Sequence, residues 1–340
     1  MNIEGPRKSE TTIPDAENHE SDTKTYEVKP GTKVKIEFRE FGTADVSEGN
    51  ESETSRGVIF MPGWSQSVTD TGIEKISQDF AKNSGLRTIA ITSRSEHEGG
   101  LDNERDVLYE EAEAIRTYIE EKGLREITLA GYSQGGDKAM NIAALLGEHS
   151  NVVVHGLILI APVGVYEQEP NKLVRNFVRD SLRNTPPALA RALPHKPEQT
   201  IAGIRAAVDI MGNVFQEVVE SKLDFMNRLQ RDVTEMAKLN PRAKEITVPI
   251  VLISGVDDLV SNPEQIMPTR AEEENSTDLE QKDPREVYLQ KNLFTKSPYV
   301  RMVKPKNQAQ HGLPFYRSNK VARVGLGLLE RYYRKNSVSE

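Results

Sequence analysis

At 340 residues the chain is long enough to bury a sizeable core, in one large domain or two. A formal net charge of -8, with no clustered basic stretch, argues against nucleic acid or an anionic membrane surface as main partner. No apolar run approaches membrane-spanning length. The absence of cysteine rules out a disulfide framework, a thiolate metal site and a cysteine nucleophile, and fits a cytoplasmic location.

Met1 to Lys24 is rich in Glu, Ser, Thr, Asp and Lys and has no apolar core of a secretory signal, so a disordered tail is expected there. From Thr25 the pattern turns to β. Tyr26 and Val28, a Pro30-Gly31 turn, then Val34, Ile36, Phe38 and Phe41 at near-alternating spacing predict an antiparallel hairpin at a sheet edge. After a polar loop, Ala44 to Ser55, the apolar run Gly57 to Met61 reads as a central parallel strand buried on both faces. It ends in Pro62-Gly63-Trp64-Ser65-Gln66-Ser67. A helix through Ile73, Ile76 and Phe80 follows, then a strand over Arg87 to Thr92 and a polar loop over Arg94 to Asn103. A long helix from about Glu104 to Lys122 leads to the next strand.

That strand carries the most informative stretch of the chain, Ile127-Thr128-Leu129-Ala130-Gly131-Tyr132-Ser133-Gln134-Gly135-Gly136, with a helix-like run Asp137 to Leu146 directly after it. A strand, a glycine-flanked serine and a helix form the G-x-S-x-G nucleophile elbow. The turn is tight enough that a Cβ two residues before or after the serine would strike the neighbouring backbone, which calls for glycine at Gly131 and Gly135. Ser133 is expected to sit strained at the tip with its Oγ outward. The following helix N-terminus places partial positive charge where an oxyanion would form.

The strand Gly156 to Ala161 comes next. Buried strands alternating with helices through short turns predict an α/β fold with a doubly wound, mostly parallel sheet. Sites in such sheets lie beyond the carboxyl ends of the strands, where Ser133 stands. From Gly164 to Thr247 the alternation stops, a stretch too long for a simple crossover. Apolar residues recur there at helical spacing: Leu173, Phe177 and Val178, then Ile204, Val208, Met211, Phe215, Val218 and Val219, then Leu223, Met226, Leu229, Val233 and Met236. An insertion leaving at a strand's carboxyl end is expected to roof the pocket as a helical cap; a separate helical domain is the other reading. The sheet resumes over Val248 to Ser254 and runs into Gly255-Val256-Asp257-Asp258-Leu259-Val260. An acidic surface loop from Ala271 to Asp283, a short helix over Arg285 to Phe294 and a strand over Tyr299 to Val303 lead to His311-Gly312. The last helix, Pro314 to Lys335, turns Val321, Val324, Leu326, Leu328 and Leu329 toward the sheet.

Ser133, an Asp after a late strand, and His311 after the last strand thus stand in the order that the elbow motif requires. A serine hydroxyl is a poor nucleophile until an imidazole takes its proton; His311 would do so and later protonate the leaving group. The Asp would accept from the other ring nitrogen and stabilise the imidazolium. The backbone N–H groups of Gln134 and of Trp64 would hold the oxyanion. The remaining histidines, His19, His97, His149, His155 and His195, lack the position after the last strand, although the His97 loop lies near the site. Met211 and Phe215 at helical spacing are more simply core than pocket.

On these residues the chain resembles the α/β-hydrolase superfamily over about Thr25 to Lys335. The resemblance implies a hydrolase core over 25–163 and 248–335 with a cap over 164–247, behind the tail 1–24. The Pro62-Gly63-Trp64 turn is similar to the family's His-Gly-x oxyanion turn, with proline in place of histidine; the donors are backbone groups, so the chemistry survives the change. The family's acid usually lies three residues after a glycine, which implies Asp258 after Gly255, with Asp257 as the alternative. The implied activity is that of a serine hydrolase cleaving a carboxylic ester of a small molecule through an acyl-enzyme, with no cofactor and no metal. Amide or peptide cleavage and acyl transfer use the same machinery. A ligand receptor that keeps the fold without turnover is the reading from another class.

Overall fold

The computed structural model describes residues 21–42, 55–97, 107–180, 222–255, 258, 260–261, 283–305, 311 and 313–337. The strands are β1 (Asp22–Lys29), β2 (Thr32–Phe41), β3 (Arg56–Met61), β4 (Thr88–His97), β5 (Glu126–Tyr132), β6 (Val153–Ile160), β7 (Ile250–Ile253) and β8 (Val300–Val303). The helices are α1 (Thr71–Ser84), α2 (Val107–Glu121), α3 (Gln134–His149), α4 (Pro170–Arg179), α5 (Lys222–Met236), α6 (Pro284–Asn292) and α7 (Leu313–Ser337). The strands form an eight-stranded sheet in the order β1-β2-β4-β3-β5-β6-β7-β8. The β1-β2 and β2-β4 pairings are antiparallel and all others parallel, so the doubly wound, mostly parallel sheet with an edge hairpin is as expected.

Alternation along the strands divides the core into two faces. Ile59, Met61, Leu129, Leu157 and Leu159 point to the side covered by α2, α3 and α6, where Ile115, Tyr118, Met140 and Leu289 pack. Val58, Phe60, Ala130, Ile158 and Ile160 point to the other side, where Ile73, Ile76 and Phe80 of α1 and Val321 and Leu329 of α7 pack. Among the described residues no helix is long and apolar enough to cross a membrane.

Two boundaries differ from the sequence reading. β1 begins at Asp22, inside the expected tail 1–24, because its backbone pairs with β2 from Asp22↔Phe38 onward; Lys24 and Tyr26 also reach Glu121 on α2, at 3.0 and 2.8 Å. β4 runs through Arg94 to His97, where the polarity of the sequence predicts a loop. Its register with β2 is unbroken from Phe41↔Thr88 to Thr32↔His97, so backbone pairing, not an apolar pattern, makes this strand. β3 pairs β4 only as far as Ala90. Beyond that point side chains occupy the free side of β4: Glu111 accepts from the Ser95 N–H at 3.1 Å, and the Lys138 ammonium donates to the Ser93 carbonyl at 3.4 Å. Lys138 and Glu111 are buried and pair at 2.5 Å, with the Ser93 hydroxyl bonded to both.

The described parts of the expected cap lie between β6 and β7. α4 and α5 meet in a third apolar cluster, in which Leu173, Val233 and Met236 join Val163 and Val260 from the strand ends, with Trp64 and Phe177 packed against it. The stretch 181–221, with Met211, Phe215 and His195, lies outside the described residues, as do His19, Asp257 and the acidic run around Glu273.

Candidate active site

β5 ends at Tyr132 and α3 begins at Gln134, leaving Ser133 alone at the turn with φ 53° and ψ -118°. The close approach behind this turn explains its glycines. A Cβ on Gly131 would lie 2.2 Å from the Gly135 carbonyl oxygen, and one on Gly135 would lie 2.1 Å from that of Met61. The Ser133 N–H donates to the Ile160 carbonyl at 3.0 Å, and the Ser133 carbonyl accepts from the Val163 N–H at 3.2 Å, which hangs the elbow on the end of β6. Among the described residues the other non-glycine positive φ angles are Ser65 at 56° and Ala161 at 43°, after β3 and β6. Backbone strain is therefore gathered at the carboxyl ends of the three strands around Ser133.

His311 Nε2 lies 3.0 Å from Ser133 Oγ, and His311 Nδ1 lies 3.1 Å from Asp258 Oδ2. The second Asp258 oxygen accepts the N–H groups of Val260 and Ser261, both at 2.8 Å, so the carboxylate is fixed before it meets the imidazole. Ser133, Asp258 and His311 are all buried. The Tyr132 ring stands 5.2 Å from the His311 ring, and the Phe177 ring of α4 meets it edge-on at 6.2 Å. Just past α4, the Asp180 carboxylate accepts the His311 backbone N–H at 3.3 Å. Burial pulls the His311 pKa down, but the charge and hydrogen bond of Asp258 and the charge of Asp180 oppose it, and the result lies above the ordinary histidine value.

The loop after β3 lies against the serine: a Cβ on Gly63 would sit 3.2 Å from Ser133 Cβ, and the Gly63 N–H donates to the Gln66 side chain at 2.7 Å. The Trp64 indole N–H donates to Asp232 of α5 at 3.0 Å, and Arg231 holds the other oxygen of Asp232 at 2.8 Å. Beside this loop opens a cavity of about 550 Å³ whose walls include Gly63, Trp64, Gln134, Lys138, Leu229 and Asp232.

Of the residues singled out in the sequence, Ser133, Asp258 and His311 come together in one hydrogen-bonded row, while Trp64 and Gln134 line the cavity beside the Gly63 loop. His97 closes β4 instead of standing on a loop. His155 pairs with Glu126 at the opposite end of the sheet, at 2.9 Å. Asp180 and Asp232 were not foreseen. Asp180 had one signal, a carboxylate three residues after Phe177 on the stripe that α4 buries. Asp232 had none. Among the described residues no group of three or more His, Asp or Glu side chains is placed to hold a metal ion.

A family model described as serine aminopeptidase, S33, matches residues 92–282, more than half of the chain. Among solved structures, a thermophilic esterase from Thermogutta terrifontis is similar at 15% identity with a TM-score of 0.52, covering 93% of this chain and 99% of its own. A bromoperoxidase from Bacillus anthracis is similar at 13% identity with a TM-score of 0.53, covering 91% of this chain and 100% of its own. At such identities the two structures speak to fold.

Proposed function

The chain belongs to the family of α/β hydrolases described as serine aminopeptidase, S33, and from that premise we propose that it cleaves a carboxylic ester of a small molecule through an acyl-enzyme on Ser133. The observation that carries this reading is the buried row in which Ser133 Oγ, His311 and Asp258 are joined at 3.0 and 3.1 Å. The Ser133 hydroxyl donates to His311 Nε2 and loses its proton there as Oγ attacks the carbonyl carbon. The Nδ1–H of His311 donates to Asp258, which keeps the ring in the tautomer that can accept and then stabilises the imidazolium. Negative charge gathering on the former carbonyl oxygen meets the N–H groups of Gln134 and Trp64. The imidazolium then protonates the departing alcohol, and water repeats the sequence to free the acid and Ser133. We read 164–247 as a cap over this row and place the enzyme in the cytoplasm, as its cysteine-free composition suggests.

The family's description favours one second reading, removal of an amino-terminal residue from a short peptide by the same attack on an amide carbon. Both readings meet one experiment. Wild type and Ser133→Ala are treated with a fluorophosphonate probe and assayed on nitrophenyl esters of graded chain length and on aminoacyl nitroanilides. Labelling and ester turnover present in the wild type and absent in the variant support the first reading. Turnover of the nitroanilides alone moves the assignment to peptide cleavage. A folded wild type that neither labels nor turns over any of these compounds overturns both.

A further inference from the structure

His311 does not come from a strand end. It stands between β8 and α7, and loops place side chains less precisely than strands do. Asp258 holds its ring. The backbone is held from elsewhere: the Asp180 carboxylate, just past α4, accepts the His311 N–H at 3.3 Å, and Phe177 in the same turn lies edge-on to the ring. Asp180 is only 3% exposed. A carboxylate withdrawn from water needs compensating partners, and an apolar side chain would fill the same space without that requirement.

We propose that Asp180 is a positioning residue, a second carboxylate supplied by the inserted segment, which anchors the His311 loop opposite Ser133 and adds its charge to that of Asp258 beside the imidazole. The inference rests on the reading of His311 as the base. Of the described groups, the carboxylates of Asp258 and Asp180 act on the charge of His311, and the phenol-bearing ring of Tyr132 lies against its face. Both carboxylates favour the imidazolium, against burial. The docking of the inserted segment and the basicity of His311 are thereby tied together. With Asp180 in place the ring is a stronger base; without it, burial prevails further and the ring gives up its proton at lower pH.

Two variants separate anchoring from charge. Asp180→Asn keeps an acceptor for the His311 N–H and removes the charge; Asp180→Ala removes both. The first measurement is the fluorophosphonate labelling rate of Ser133 against pH. The second is an NMR titration of labelled histidines in a Ser133→Ala background, with the His311 signal identified by its loss in His311→Gln. In Asp180→Asn the acidic limb should move to lower pH, so that labelling at about pH 5.5, as a share of its plateau, rises about threefold or more. In Asp180→Ala the plateau should also fall about tenfold, since the loop loses its anchor. Should the alanine variant melt early, the nearly isosteric asparagine variant carries the test. An unmoved limb together with an unmoved His311 titration in Asp180→Asn overturns the proposal. The titration needs no reaction, so a wild type without ester turnover refutes the ester reading while leaving the role of Asp180 to be decided by NMR.

Discussion

A histidine whose ring meets one carboxylate and whose backbone N–H meets another has a titration that turnover should report. In the proposed mechanism His311 must be neutral to accept the Ser133 proton, and its pKa is raised from the ordinary 6.5, so the rate should climb with pH through a midpoint above 6.5. A profile flat from acid to neutral pH would remove His311 from the role of base. The same shift acts on stability. Proton binding at His311 favours the folded chain; that contribution is complete below the unfolded value of 6.5 and is lost as pH rises through the folded one. Asp258→Asn should lower kcat by about four orders of magnitude at nearly unchanged melting temperature, because an amide no longer holds the required tautomer. Asp257→Asn should stay close to wild type, and the reverse pattern would reassign the acid. The places of Ser133 and Asp258 were legible because each follows an apolar strand, and that of His311 followed from chain order, beyond the last strand. The role of Asp180 was not legible: its place three residues after Phe177 could mark it for burial, but its partner is a backbone N–H 131 residues away, a relation that no local pattern encodes.

At the scale of elements, the elbow is where sequence and geometry agree most closely. The glycines of the motif correspond to atoms that a methyl group would strike: for Gly135, the carbonyl oxygens of Met61 at 2.1 Å and Pro62 at 2.3 Å. These are backbone atoms of the adjoining strand and loop and cannot rotate aside. Gly135→Ala should therefore destabilise the chain by about 3 kcal/mol or more, visible as a lower urea midpoint, and a variant as stable as wild type would show that the turn can relax. The end of β4 teaches the opposite lesson. Thr92-Ser93-Arg94-Ser95 has no apolar alternation because the Thr92 hydroxyl meets Glu37 and the Ser93 hydroxyl meets Glu111 and Lys138, so composition suggests a loop where hydrogen bonding to β2 builds a strand.

For the molecule as a whole, that ion pair ties α2 and α3 to the sheet, and α3 is the helix that starts directly after Ser133. Glu111→Gln should remove about 3 kcal/mol of stability, read from chemical denaturation, because it strands the Lys138 ammonium in a buried place. The replacement of both residues by apolar side chains of similar size should recover much of the loss if the pair serves cohesion alone. The strand suggests a second service. Where β3 stops, β4 would otherwise present bare amide and carbonyl groups, the kind of surface on which a strand from another molecule can dock. Glu111 and Lys138 occupy those groups as a stopper occupies a socket, and in the apolar double variant the socket is open. Such a protein would be the one to clump on storage, and the faster the higher its concentration.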